Sequence, residues 1–196
     1  MIPRHFQITT ALLLLAILFS GLYMIHLRQR EEAASLQSLQ AAPSVPVLEG
    51  KQERIRVLVA YDEDQALRWR DAEVFMPVER SSRARAALRA ALSQYLQSPS
   101  PHPLGKGADI RNVYLINNDT MVVDTTSQFA DAHPPGILLE EFTIASLIET
   151  LTANVSGVTK VKFLVNGQER ETLAGHVDLM SFYQTAAVHE LAKEFE

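Results

Sequence analysis

The chain has 196 residues, no cysteine and a net charge of −5. Residues 1–50 balance three Arg (Arg4, Arg28, Arg30) against three Glu (Glu31, Glu32, Glu49), so the acidic excess falls on residues 51–196. Disulfides, thiolate catalysis and Cys-based zinc sites are excluded, and an acidic domain is a poor match for nucleic acid, whose binding relies on Lys and Arg neutralising phosphate.

Ile8 to Leu27 (ITTALLLLAILFSGLYMIHL) is a run of 20 residues without Lys, Arg, Asp or Glu. At ~1.5 Å per residue it spans a bilayer core of about 30 Å. A cleavable signal peptide would have a shorter apolar region followed by a small-residue cleavage site, and the LFSG stretch is followed by Leu22 rather than a lipid-carrying Cys. The expectation is a short tail (1–7), an uncleaved single-pass transmembrane anchor in the cytoplasmic membrane (8–27), and the remainder outside the cytoplasm. Residues 28–52, with Pro43 and Pro46 among Ser, Gln and Ala, read as a linker, and the folded domain is expected to start at Glu53.

Alternation of Ile55, Val57, Val59 and Tyr61 predicts a strand over Arg54–Asp62. A weaker strand is expected over Ala72–Val78, ended or placed at an edge by Pro77. Ser82–Gln97 carries Ala84, Leu88, Ala91, Leu92, Tyr95 and Leu96 on one helical stripe, with Ser81 or Ser82 as the cap and Pro99 beyond the end. Ile110–Ile116 and Met121–Thr125 flank Asn117-Asn118-Asp119-Thr120 and read as a hairpin. A second helix follows, with Leu138, Phe142, Ala145, Ile148, Leu151 and Val155 in register and Gly157 closing it. Val158–Val165 is a strand, and Asn166-Gly167 signals a hairpin with a return strand over Glu169–Leu173. Residues 179–196 are expected to form a C-terminal helix. This order gives an α+β fold, a mixed or antiparallel sheet with helices packed on it.

Four pieces together resemble the GerMN domain of bacterial spore-germination and sporulation proteins. They are the opening strand Ile55–Tyr61 and the helix running to Ser98-Pro99, where the family has Gly-Pro. Next come VYLINNDTMVVDTTSQF, with Val123-Asp124 and Ser127-Gln128-Phe129, and Thr150-Leu151-Thr152 leading through Phe163-Leu164-Val165 to Asn166-Gly167. Thr125 stands for the usual Leu and Gln128 for the usual Glu. The resemblance spans about residues 53–178. It implies a tethered, extracytoplasmic, non-catalytic domain, similar to ring-building modules of secretion-system and sporulation-channel proteins, and it implies that Asp124 orders the turn after its strand.

Chemistry-bearing motifs are sparse. There is no HExxH, no GxSxG and no P-loop around Gly105-Lys106-Gly107, and no metal or other cofactor is expected. Asp131-Ala132-His133 offers two metal ligands in a Pro-rich loop, where a solvated loop is the plainer reading. Asp62-Glu63-Asp64 reads as a solvated turn. The one charged feature is a group of six arginines, Arg68, Arg70, Arg80, Arg83, Arg85 and Arg89, within 22 residues of an acidic domain. Arg80, Arg83, Arg85 and Arg89 are the candidate site for a partner or an anion, weighed against an ordinary solvated helix face. The leading expectation is an anchored assembly protein that binds envelope proteins or copies of itself. The alternatives are a module for peptidoglycan or a small envelope ligand, favoured if Tyr61, Trp69, Phe75 or Tyr114 line one pocket, and an unrecognised hydrolase.

Overall fold

The two strands expected at the start of the domain are both present and both longer than their periodicity predicts. In the computed structural model, which describes residues 49–196, β1 (Gly50–Tyr61) and β2 (Ala66–Pro77) form an antiparallel hairpin, with Gly50 opposite Pro77 and Tyr61 opposite Ala66. The expected membrane span 8–27 lies outside the described residues. Strand β1 starts three residues before the expected domain start at Glu53, and β2 starts six residues before the expected Ala72. The alternation in β2 is obscured by Arg68, Arg70, Asp71 and Glu73, which an exposed edge strand tolerates and uses against unwanted pairing.

Helix α1 (Arg80–Leu96) buries Ala84, Leu88, Ala91, Leu92 and Tyr95, as its stripe predicts, while Leu96 stays exposed. Its cap is Glu79, not Ser81 or Ser82; the Glu79 carboxylate accepts the N–H groups of both serines at 2.8 and 2.6 Å. Burial alone would raise that carboxyl, but those backbone donors hold it at about 2, because donors at a helix start favour the charged form.

Strands β3 (Ile110–Ile116) and β4 (Thr120–Thr125) form the expected hairpin. After the short helix α2 (Ser127–Asp131), helix α3 (Ile137–Asn154) crosses to β5 (Lys160–Val165), which pairs parallel to β4. A parallel pair needs such a crossover. Strand β6 (Tyr183–Gln184) closes a four-stranded mixed sheet in the order β3-β4-β5-β6, and helix α4 is Thr185–Lys193.

Helix α3 organises the core. It packs against β1, α1 and α4, so Phe142, Leu147, Ile148 and Leu151 are buried together with Thr143, Ser146, Glu149 and Thr150. The polar members have defined work. The Thr150 hydroxyl accepts the Leu58 N–H at 2.9 Å, and the Tyr95 hydroxyl accepts the Ala60 N–H at 3.0 Å. The Asn154 amide donates to the Arg56 carbonyl at 2.7 Å. Side chains of two helices thus satisfy the edge of β1 that no strand covers.

Two expected elements differ. Asn166 and Gly167 make the turn, with φ of 53° and 77°, as a two-residue hairpin requires. Beyond isolated bridges between Val165 and Gln168 and between Thr172 and Asp178, however, no return strand forms over Glu169–Leu173. The buried Glu140 carboxylate instead accepts the N–H groups of Ala174, His176 and Val177 at 3.0, 3.1 and 2.9 Å, pulling the segment off the sheet and onto α3. The C-terminal helix likewise begins at Thr185 rather than at residue 179. Leu179 N–H donates to the Glu171 carbonyl, Met180 N–H to Asp178, and Tyr183–Gln184 pair with β5.

Candidate functional site

The six arginines do not form one open face. Arg68 and Arg70 of β2 lie over the Tyr61 ring, at 4.8 and 5.3 Å, and Arg68 also pairs with Asp64 at 2.8 Å. Arg80 donates to the carbonyls of Asn118 and Ser156 at 2.9 and 2.7 Å, tying the start of α1 to the β3–β4 turn and to the end of α3. Arg83 forks onto Glu53, at 3.2 and 2.6 Å, and also donates to the Asn154 carbonyl; the Arg83 guanidinium holds the Glu53 carboxyl below its usual range. Arg89 grips Asp109 at 2.8 and 2.5 Å. Among the described residues, Arg85 is the one of the four candidates with neither a carboxylate nor a carbonyl partner. It lines a groove of about 700 Å³ between β2 and α1, beside Phe75 and Arg89. Arg80, Arg83 and Arg89 are therefore structural clamps as well as surface cations. Replacing Arg83 with an acid would set two carboxylates against each other at Glu53.

The other expected groupings are taken apart. Tyr61, Trp69, Phe75 and Tyr114 line no common pocket among the described residues; Trp69 is covered by Arg56 at 4.4 Å and Tyr114 stands exposed on β3. Asp131 pairs with Arg170 at 2.5 Å, while His133 turns inward. Asp124 is buried and accepts the Gly167 N–H at 2.6 Å, with Arg111 3.3 Å from its other oxygen. It therefore orders the β5 turn across the sheet, not the turn after its own strand. Among the described residues, no three His, Cys, Asp or Glu side chains are grouped to hold a metal ion.

A polar chain runs through the interior where the sequence shows only a Pro-rich loop. Asp62 meets His102 Nδ1 at 2.5 Å, His102 Nε2 meets the Thr143 hydroxyl at 2.6 Å, and that hydroxyl meets His133 Nε2 at 2.8 Å. The other nitrogen of His133 faces the Pro134 carbonyl at 2.7 Å. Both Nδ1 atoms face acceptors, and one hydroxyl proton cannot serve both Nε2 atoms. Burial pushes the His133 pKa below its ordinary value; the Pro134 carbonyl opposes this and the neighbouring His102 ring reinforces it. Asp–His–Thr in line has the sequence of groups of a nucleophilic triad, but Thr143 is 0 % and His102 1 % exposed, so the arrangement is a closed structural clasp between the 98–109 loop and α3.

A further concavity lies elsewhere, between α3, α4 and the 175–184 segment. It has a volume of about 830 Å³. Ile144 and Val188 form its floor, and Ile137, Phe182 and Leu191 stand 61 %, 51 % and 39 % exposed on its walls. Glu141 and Asp178 supply its charge, and no Lys or Arg lines it. His176, also on its wall, meets the buried Glu140 at 2.7 Å. Burial raises the Tyr183 hydroxyl pKa, and the charges of Asp178, Glu140 and Glu141 raise it further, the mark of a negative field at this wall. The only signal in the sequence was a surplus of apolar residues after position 179, more than one helix face needs.

A family model described as Sporulation and spore germination (Germane) matches residues 59–171. Among solved structures, the tandem GerMN domains of the sporulation protein GerM from Bacillus subtilis align at 19% identity and a TM-score of 0.48, over 67% of this chain and 45% of that one. The chain thus spans less than half of the tandem protein. The first GerMN domain of the same protein aligns at 20% identity and a TM-score of 0.42, over 66% of this chain and 94% of that one. A presumptive lipoprotein from Clostridium perfringens aligns at 17% identity and a TM-score of 0.47, over 70% and 89%. No curated protein matches.

Proposed function

The chain belongs to the Germane family of sporulation and spore-germination domains, and from that premise we propose that it is a membrane-anchored, non-catalytic assembly protein of the bacterial cell envelope. Residues 8–27 are its single transmembrane helix, the expected linker from 28 is its tether up to the start of β1 at Gly50, and the GerMN-like extracytoplasmic domain, expected over 53–178 and extended back to Gly50 by β1, binds other envelope proteins or further copies of itself. Residues 179–196 complete that domain. The observation that carries the reading is the pairing of the family domain with a mostly apolar stretch of 20 residues, free of Lys, Arg, Asp and Glu, ahead of it, long enough to span a bilayer. Arg85 and the groove beside it are one candidate contact surface, and the apolar, acidic groove between α3 and α4 is another. The reading as a module for peptidoglycan or a small envelope ligand has less support, because the aromatic side chains it would use lie apart.

Amine-reactive crosslinking of the full-length protein in its native membranes tests this. Envelope-protein neighbours or self-crosslinks are the expected products. Recovery of cell-wall fragments with no protein neighbour would turn the reading over to the ligand-binding alternative.

A further inference from the structure

The groove between α3 and α4 has a chemistry that selects its occupant. We propose that it is the docking site for a peptide segment of another envelope protein, one whose apolar side chains are flanked by Lys or Arg. The inference rests on the assembly reading above and deepens it by naming a surface and the class of partner.

The two helices present matching stripes. On α3, Ile137, Glu141 and Ile144 recur at spacings of four and three; on α4 and its approach, Gln184, Val188 and Leu191 do the same. Such stripes normally close on each other. Here they close only at the floor, where Ile144 and Val188 are 3 % and 8 % exposed, and stay apart at the walls. The separation is fixed by polar links on either side. Glu149 holds His189 of α4 at 2.9 Å, and Glu140 holds the 174–177 segment. The cleft is therefore preformed, as ligand-binding clefts are, and suits a short helix or extended segment inserting a few side chains.

The charge is one-sided. Glu141 has no cationic partner within ion-pair distance among the described residues, and Asp178, whose carboxylate accepts from the Met180 N–H and from Ser181, adds a second negative charge. Lys162 lies 5.9 Å from the Phe182 ring, and its ammonium is already held by Glu169 at 3.1 Å and by the Met180 carbonyl. An apolar floor beneath these two carboxylates favours a segment that brings cations to the rim.

The test places a photocrosslinking amino acid at Leu191 of the full-length protein in its native membrane, with the same group at Val78, exposed and outside the groove, as control. The crosslinked peptide is sequenced. The expected product is a segment of another envelope protein with Lys or Arg within a helical turn of its apolar residues, captured from Leu191 and not from Val78. Glu141→Lys is expected to lower the yield at least about fivefold; Glu141 supports no internal contact, and an unchanged urea midpoint confirms that the variant is folded. Capture of an acidic or uncharged segment, of a second copy, of residues 28–48 of the same chain, of lipid alone, or of nothing would overturn the proposal, as would a yield indifferent to Glu141→Lys. If amine-reactive crosslinking still finds envelope neighbours in that case, the assembly reading stands and only the groove assignment falls.

Discussion

Glu140 shows how much one side chain can decide. It sits on α3, 0 % exposed, at a position where the apolar stripe calls for nothing charged. Burial would raise its carboxyl, but the N–H of Val177, the His176 ring and the N–H groups of Ala174 and His176 hold it at about 2. Its folded value lies below the ordinary 4.5, so the unfolded chain takes up the proton first as pH falls. The stabilisation is fully present above about pH 4.5 and is lost between there and about pH 2, on the order of 3 kcal/mol in all. Glu140→Gln keeps the shape and removes the charge. It is expected to cost about 2–4 kcal/mol at neutral pH and to flatten the acid limb of stability, both read from urea midpoints between pH 7 and 3. An unchanged midpoint would mean that the 174–177 segment is held by something else.

At the scale of elements, hydroxyls of two helices finish the edge of a strand, and a loop is tied down by imidazoles. Thr150 and Tyr95 satisfy the N–H groups of Leu58 and Ala60, which lets a two-stranded ribbon end against helices. The His102–Thr143–His133 chain fixes the 98–109 loop to α3. His133 has its folded pKa below its ordinary value, so the unfolded state binds its proton more readily as pH falls. This residue's contribution is present above about pH 6.5 and declines below it. Denaturant midpoints compared at pH 7.5 and 5.5 are expected to fall with acid, and His133→Gln to remove part of that difference. A wild-type midpoint that rose with acid would contradict the assignment of a neutral, buried ring.

At the scale of the whole molecule, the proposed anchor has a topological consequence. The proposed topology has residues 28–196 outside the cytoplasm, so alkaline phosphatase fused after residue 196 is expected to be active; an inactive fusion would reverse the topology. Much of the fold was legible because short-range rules carry it. Period two marked β1, the stripes of α1 and α3 marked their buried faces, and Asn117–Thr120 and Asn166-Gly167 marked the turns. The family, too, was legible in the motifs from Val113 to Phe129 and from Thr150 to Gly167. What sequence periodicity could not show is where a polar side chain meets a partner 30 or more positions away. Glu140 meeting Val177, Asp124 meeting Gly167, and Arg83 meeting Glu53 are each |i−j| of 30 or more. Contacts between residues distant in sequence removed the expected return strand and turned three of the four candidate arginines into clamps. Hydrophobic pattern and turn chemistry are local properties that a sequence states outright, whereas the pairing of buried charges and the cleft left between α3 and α4 exist only once the chain has folded around them.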